Sequence, residues 1–210
     1  LIFPGIILAS YMIITSHKLK IDKSYIVESR INTMNNFMKD LNKDIERGLY
    51  ISSVRAIMGL EQNIISSGKF IEDIQTAFKE IMLFGTINNS EVALMRDCSF
   101  YDWQNKIKHQ ALKYGMILNF TINKVTIGHI SPWTLEVSVD LDIMLNDSTG
   151  IAAWYTNKLI KTHINIEGFE DPIYIINTYG RVTNIIKQTY TTNFVDGNDT
   201  TNLQIHLNNS

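Results

Sequence analysis

The run Glu167-Gly168-Phe169-Glu170-Asp171-Pro172 is the most acid-rich candidate for chemistry in the chain. Carboxylates this close can hold a hard cation, or divide acid and base roles between them. Their neighbours favour a strand-terminating turn instead: Gly168 frees the backbone, and Pro172 fixes φ and extends the residue before it. Asp196-Gly197-Asn198-Asp199-Thr200 has the oxygen-rich composition of a calcium loop. It lacks the glycine at the sixth loop position and the distal bidentate acid, so a hairpin turn is expected. The histidines His17, His109, His129, His163 and His206 include no pair at helical spacing and no His-Glu-x-x-His run. Neither a nucleophile elbow nor a phosphate loop is present. Cys98 stands alone, which excludes an intrachain disulfide and fits a small buried hydrophobe. The sequence therefore assigns no catalytic residue, cofactor or metal ligand, and no enzymatic activity is expected.

Two further sets of residues suggest surface chemistry. Asn88, Asn119, Asn146, Asn198 and Asn208 each begin an Asn-x-Ser/Thr sequon, an acceptor for glycans if the chain is secreted. Trp103, Trp133 and Trp154, with nine tyrosines, could line a carbohydrate-binding surface, although core and sheet packing is the commoner use of such residues. A formal charge of -2 and a pI near 6.2 argue against nucleic acid as a partner. The one basic cluster, His17, Lys18, Lys20 and Lys23, directly follows an uncharged apolar run and has the character of a membrane-edge motif.

That run, Leu1 to Ser16, carries nine Leu, Ile, Phe or Met side chains and no charge. At ~1.5 Å per residue it gives about 24 Å of helix, short of the ~30 Å of a bilayer core. No initiator Met, basic leader or small-residue cleavage site brackets it, so an intact secretory signal is not expected; either the sequence is cut here or the mature chain begins here. From Ile21 to about Ile65 the pattern is helical, with Ile31, Met34, Met38, Leu41, Ile45 and Leu49 stepping by three and four along one face. Gly48 and Gly59 are positions where this helix could soften or kink. Ser66-Ser67-Gly68 reads as its stop.

A second helix is expected with Phe70, Ile71, Ile74, Phe78, Ile81 and Met82 on one face, followed by a loop from Gly85 to Ser90. Ser99 is placed to cap a third, Phe100 to about Tyr114, closed by Gly115. Beyond Gly115 the period changes to two. Leu118, Phe120, Ile122, Val125 and Ile127 form one alternating run; Trp133, Leu135, Val137, Val139, Leu141 and Ile143 form the clearest. Ile151 to Ile166, Ile173 to Ile176, Val182 to Tyr190 and Leu203 to Leu207 are further strand candidates. Short turns between consecutive runs imply antiparallel pairing, with one face covered by the helices of residues 51–114.

The expected fold class is α+β, a long N-terminal α-helix with an apolar tail plus short helices packed on an antiparallel β-sheet head. Residues 1–48 would form the apolar and amphipathic helix, 49–115 the helical part of the head, and 116–210 its sheet.

An uncharged apolar block at a processed N-terminus, running straight into an amphipathic helix, resembles the type IV pilins, and more closely their archaeal relatives, the pilins and archaellins. Bacterial members usually carry a glutamate a few residues into the helix; here Gly5 stands in that region and no acid precedes Asp22. Ser131-Pro132-Trp133, the run Gly150 to Trp154 and the run Ile164 to Tyr174 are similar to secreted pilin-like proteins of small-genome archaea. The resemblance implies a membrane-inserted precursor, a pilus assembly machinery as partner, and an extracellular filament in which copies of the chain polymerise for adhesion or cell contact. It also implies that Phe3, Ile6, Ile7, Leu8, Tyr11, Met12, Ile13 and Ile14 form the filament core. The rival expectation is a membrane-anchored ectodomain, with residues 1–16 as the anchor and the β-rich head binding a ligand or carbohydrate.

Overall fold

The computed structural model describes residues 3–187 and Thr201, with side chains from Ser24 onward. The protein is α+β, with helices packed against a three-stranded antiparallel sheet. Helix α1 (Phe3–Ser67) runs 65 residues, about 98 Å at ~1.5 Å per residue. Pro4 falls in the first turn, where its missing N–H has no intrahelical partner. The helix ends at Gly68, which takes φ +66 and donates its N–H to the Ile64 carbonyl at 2.9 Å, a glycine C-cap.

Along α1 the apolar stripe becomes core from Met34. Met34, Leu41, Ile45, Leu49, Ala56 and Leu60 are buried, whereas every residue from Ser24 to Ser29 is exposed. Neither Gly48 nor Gly59 interrupts the helix; both are points of close approach. A Cβ at Gly48 would lie 2.8 Å from the Trp103 indole, and one at Gly59 would lie 2.6 Å from Ile81 Cδ1. Trp103 is held in place by its own N–H, which donates to Asp44 Oδ2 at 3.0 Å, and by stacking on Phe100 at 5.1 Å.

Helix α2 (Ile74–Phe84) starts later than its apolar pattern suggests. Asp73 caps it, accepting from the Thr76 N–H at 3.1 Å, which leaves Phe70 and Ile71 outside the helix. The expected loop after Gly85 contains two short strands, β1 (Thr86–Ile87) and β2 (Ser90–Glu91), joined through Asn88 and Asn89. Both asparagines have positive φ, as a type I′ hairpin turn demands. A 3₁₀ turn (Ala93–Met95) leads to helix α3 (Phe100–Lys113). Ser99 and Asp102 form a reciprocal capping box at its start.

The sheet has the order β3 (Met116–Ser131), β4 (Thr134–Asp147), β5 (Ala153–Asn165). Val137, Val139, Leu141, Ile143 and Leu145 of central β4 are fully buried and face the helical layer. The register of β3 slips by one residue between Ile122 and Lys124, so its inward side chains change from even to odd numbers there. The opposite face is mixed, with Met144, Tyr155 and Leu159 exposed among paired polar groups. Glu136 accepts from Lys161 at 2.9 Å and faces His163 at 3.1 Å, while the Asn157 amide bridges Asp140 and Asp142 at 2.9 Å each.

Two contacts fix α1 to the sheet. Arg30 pairs with the buried Asp147 at the end of β4, and its Nη2 donates to the Gly115 carbonyl at 2.6 Å. Lys158 Nζ of β5 donates to Asn42 Oδ1 at 2.6 Å. Hydrogen bonds from Thr149, with the Arg30 contact adding to them, hold the Asp147 carboxyl down at about 2.

The chain after β5 departs from the strand pattern. Ile173 to Ile176 lies in helix α4 (Pro172–Asn177), not a strand. From Val182 to Lys187 the chain is irregular, with one bridge between Ile185 and Glu170. Residues 188–190 of the next strand candidate and all of Leu203 to Leu207 lie outside the described residues.

The contact at Gly48 yields a prediction. Alanine is the better helix former by about 1 kcal/mol, yet Gly48→Ala should lower stability by about 1–3 kcal/mol because the methyl group meets the indole. Denaturant unfolding measures this, and an unchanged or raised midpoint would show that the contact is slack.

Candidate functional site

At the end of α1 remote from Arg30, a cleft of about 380 Å³ opens between four parts of the chain. Its walls are Ile57, Leu60 and Ile64 of α1 and Ile74 at the start of α2. The β3–β4 hairpin end adds Ile127 and Leu135, and the segment after β5 adds Phe169 and Ile186. Hydrogen bonding holds this segment down, since Gly168 N–H donates to the Ile186 carbonyl and Ile186 N–H to the Phe169 carbonyl, each at 2.8 Å. The α2 side is fixed by Gln75. Its amide donates to the Ile127 carbonyl and accepts from the Ile127 N–H at 3.2 Å, replacing a missing neighbour strand at the edge of β3.

The polar groups on this apolar wall are few. Gln75 is one, and its hydrogen bonds to Ile127 are already made; His129, Glu170 and Glu61 are the others. Glu61 projects from the apolar side of α1, between Leu60 and Ile64, and its Oε1 is buried without a hydrogen-bond partner. Burial, with the neighbouring Glu170 charge adding to it, pushes the Glu61 carboxyl up to about 7; a backbone hydrogen bond from Glu170 pulls weakly the other way. A carboxyl oxygen without a donor in an apolar recess is costly to a fold, and recesses of this size, with a few convergent polar groups, are the usual form of a small-molecule site.

The acidic turn does not act as a unit. Asp171 caps α4, accepting from the Ile173 N–H at 3.0 Å, and Pro172 occupies the first turn. Glu170 turns to the cleft, while the Glu167 N–H donates to Asn165 Oδ1 at 2.9 Å. Among the described residues no three His, Cys, Asp or Glu side chains are grouped to hold a metal ion. The tryptophans are dispersed too: Trp103 is packed in the core, Trp133 sits at the β3–β4 turn, and Trp154 pairs with Leu145 toward the opposite end of the sheet.

Of the sequons, Asn88 is exposed at the tip of the β1–β2 turn and Asn119 on the outer row of β3, while Asn146 is half-buried on β4. Asn198 and Asn208 lie outside the described residues. The same holds for the side chains of Phe3, Ile6, Ile7, Leu8, Tyr11, Met12, Ile13 and Ile14, whose backbone is the first part of α1. Among the described residues no helix is long and apolar enough to cross a membrane. Comparison with known family models, with curated proteins and with solved structures yields no match.

Glu61 makes stability depend on pH. Its folded pKa lies above the unfolded value, so the folded chain retains a proton that the unfolded chain loses. The contribution of Glu61 to stability is therefore fully present below about 4.5 and is lost as pH rises through about 7. Glu61→Gln should remove this dependence and raise stability at pH 8 by on the order of 1 kcal/mol after solvent screening. Denaturant midpoints at pH 5 and pH 8 measure it; an equal pH slope in the variant would exclude Glu61 as the cause.

Proposed function

We propose that the protein is the structural subunit of an extracellular filament of the type IV pilus kind, polymerising through the leading part of α1. The observation that carries this reading is that α1 continues past its own core. Among the described side chains burial begins at Met34, yet the helical backbone extends back to Phe3, and Tyr25 and Ile26 are 71% and 58% exposed.

The energetics support the same reading. Nine large apolar side chains in Leu1 to Ser16, at up to ~2 kcal/mol each, correspond to roughly 15–20 kcal/mol for full burial, an upper bound. In the proposed filament the dry surroundings of that run come from sister helices, with a membrane as the site of the precursor. A contact between the head of one copy and the tail of the next is heterologous and propagates as a helical polymer rather than closing into a dimer. Adhesion or cell contact is the role such a filament would serve, with pilus assembly machinery extracting subunits from the membrane. Asn88 and Asn119, exposed on the head, would be the accessible glycan acceptors of a secreted filament.

Simultaneous Ile7→Asp and Ile14→Asp substitution tests the proposal. Each change removes roughly 2 kcal/mol of available burial and adds the cost of a buried charge. Filaments should vanish from negative-stain images, while circular dichroism of the head stays unchanged. Intact filaments from the double variant, or native material found as single particles anchored in a bilayer, would refute it.

A further inference from the structure

We propose that the cleft around Glu61 is a binding site for a small organic cation, a primary or secondary ammonium on a compact apolar body. Three observations lead there. The walls are aliphatic and aromatic, from Ile57, Ile64, Leu135 and Phe169, so the body of the ligand is apolar. A buried carboxylate oxygen, Glu61 Oε1, has no donor among the described residues. Glu170, on the facing wall, adds a second acid, and no Lys or Arg lines the recess.

These features select among ligand classes. A carboxylate or phosphate would meet two acids and no cationic partner. A neutral alcohol could donate to Glu61 but would leave the surplus negative charge uncompensated. An ammonium supplies both the missing donor and the missing charge, in a recess where poor solvation strengthens both. A volume of about 380 Å³ falls in the lower part of the range for small-molecule sites, so the body is a cyclic or branched hydrocarbon rather than a long chain. His129 lies on the same wall with its Nδ1 facing the Ser131 carbonyl at 3.4 Å, so it is placed to meet the ligand's body at the mouth.

The site is separate from the polymerising end. Glu61 stands 31 residues beyond Arg30 on one continuous helix, about 46 Å along its axis. Binding and assembly can therefore be tested apart.

Adamantan-1-amine, adamantan-1-ol and adamantane-1-carboxylate place three head groups on one apolar body. With the full-length chain, saturation-transfer NMR and equilibrium dialysis at pH 8 should show the amine bound at least about tenfold more tightly than the alcohol, and the carboxylate not bound. Glu61→Gln preserves side-chain volume and should abolish the preference for the amine while leaving alcohol binding within about twofold. Glu170→Gln, at an exposed position, should weaken the amine less than Glu61→Gln does. Equal affinity for amine and alcohol, an amine preference that survives Glu61→Gln, or no binding at millimolar concentration would each overturn the assignment. None of these outcomes bears on filament formation, which the Ile7 and Ile14 substitutions decide independently.

Discussion

The rest of the structure depends on how the second half of α1 is packed into the core. From Met34 to Leu60 the apolar stripe of α1 is part of the same core as β4, α2 and α3. That packing works only because the helix can be approached closely at Gly48 and Gly59, where Trp103 and Ile81 occupy the space a side chain would need. Hydrogen bonds then fix the helix at the margin of the core. Arg30 grips Asp147 and the Gly115 carbonyl, and no residue from Ser24 to Ser29 is covered.

Much of the scaffold was legible because its signals were local. The stripe from Met34 to Leu49 obeys helical spacing, and the run from Val137 to Ile143 obeys a period of two; each lands in the core as its period requires. Ser99 with Asp102 three residues later is a start signal that the chain uses. The slip in β3 was present in the sequence as well: the apolar residues stop at even Ile122 and resume at odd Val125, the mark of an extra residue between them. Where reading failed, competing signals were weighed the wrong way. Ile173 to Ile176 is too short an apolar run to separate helix from strand by period, but Asp171 followed by Pro172 is a helix-start pair, and the chain obeys it. The role of the α1 glycines as points of close approach was beyond the sequence. Sequence shows that a glycine is present, but not that an indole from 55 positions later lies against Gly48.

The cleft was less legible, since its walls come from four separate stretches and only the fold assembles them. Even so, one residue carried a signal. Ile57, Leu60, Glu61 and Ile64 stand at i, i+3, i+4 and i+7, so Glu61 occupies an apolar-face position. An acid there is either a flaw in the amphipathic pattern or a group with a task. The acidic turn attracted attention for its density, yet most of its chemistry is local: Asp171 caps a helix, and only Glu170 reaches the recess.

The distribution of paired and unpaired acids separates scaffold from site. On the outer face of the sheet the carboxylates have partners. Glu136 lies between Lys161 and His163, Asn157 bridges Asp140 to Asp142, and Asn123 also donates to Asp142. Hydrogen bonds of this kind hold Glu136 and Asp142 below the usual carboxylate range, so the ionised form is the one the fold favours. Glu80 follows the same rule, drawn down first by the Asn89 amide as it ties the β1–β2 turn to α2. Glu61 is shifted the opposite way, buried among side chains that give its Oε1 no donor. Ser53 Oγ and the Gln104 amide also lack partners among the described residues, but Glu61 is the ionisable group left with an unsatisfied buried oxygen, and it faces a recess. That recess lies at the end of α1 farthest from the part that would enter a filament core, so a bound cation would meet the head without disturbing assembly.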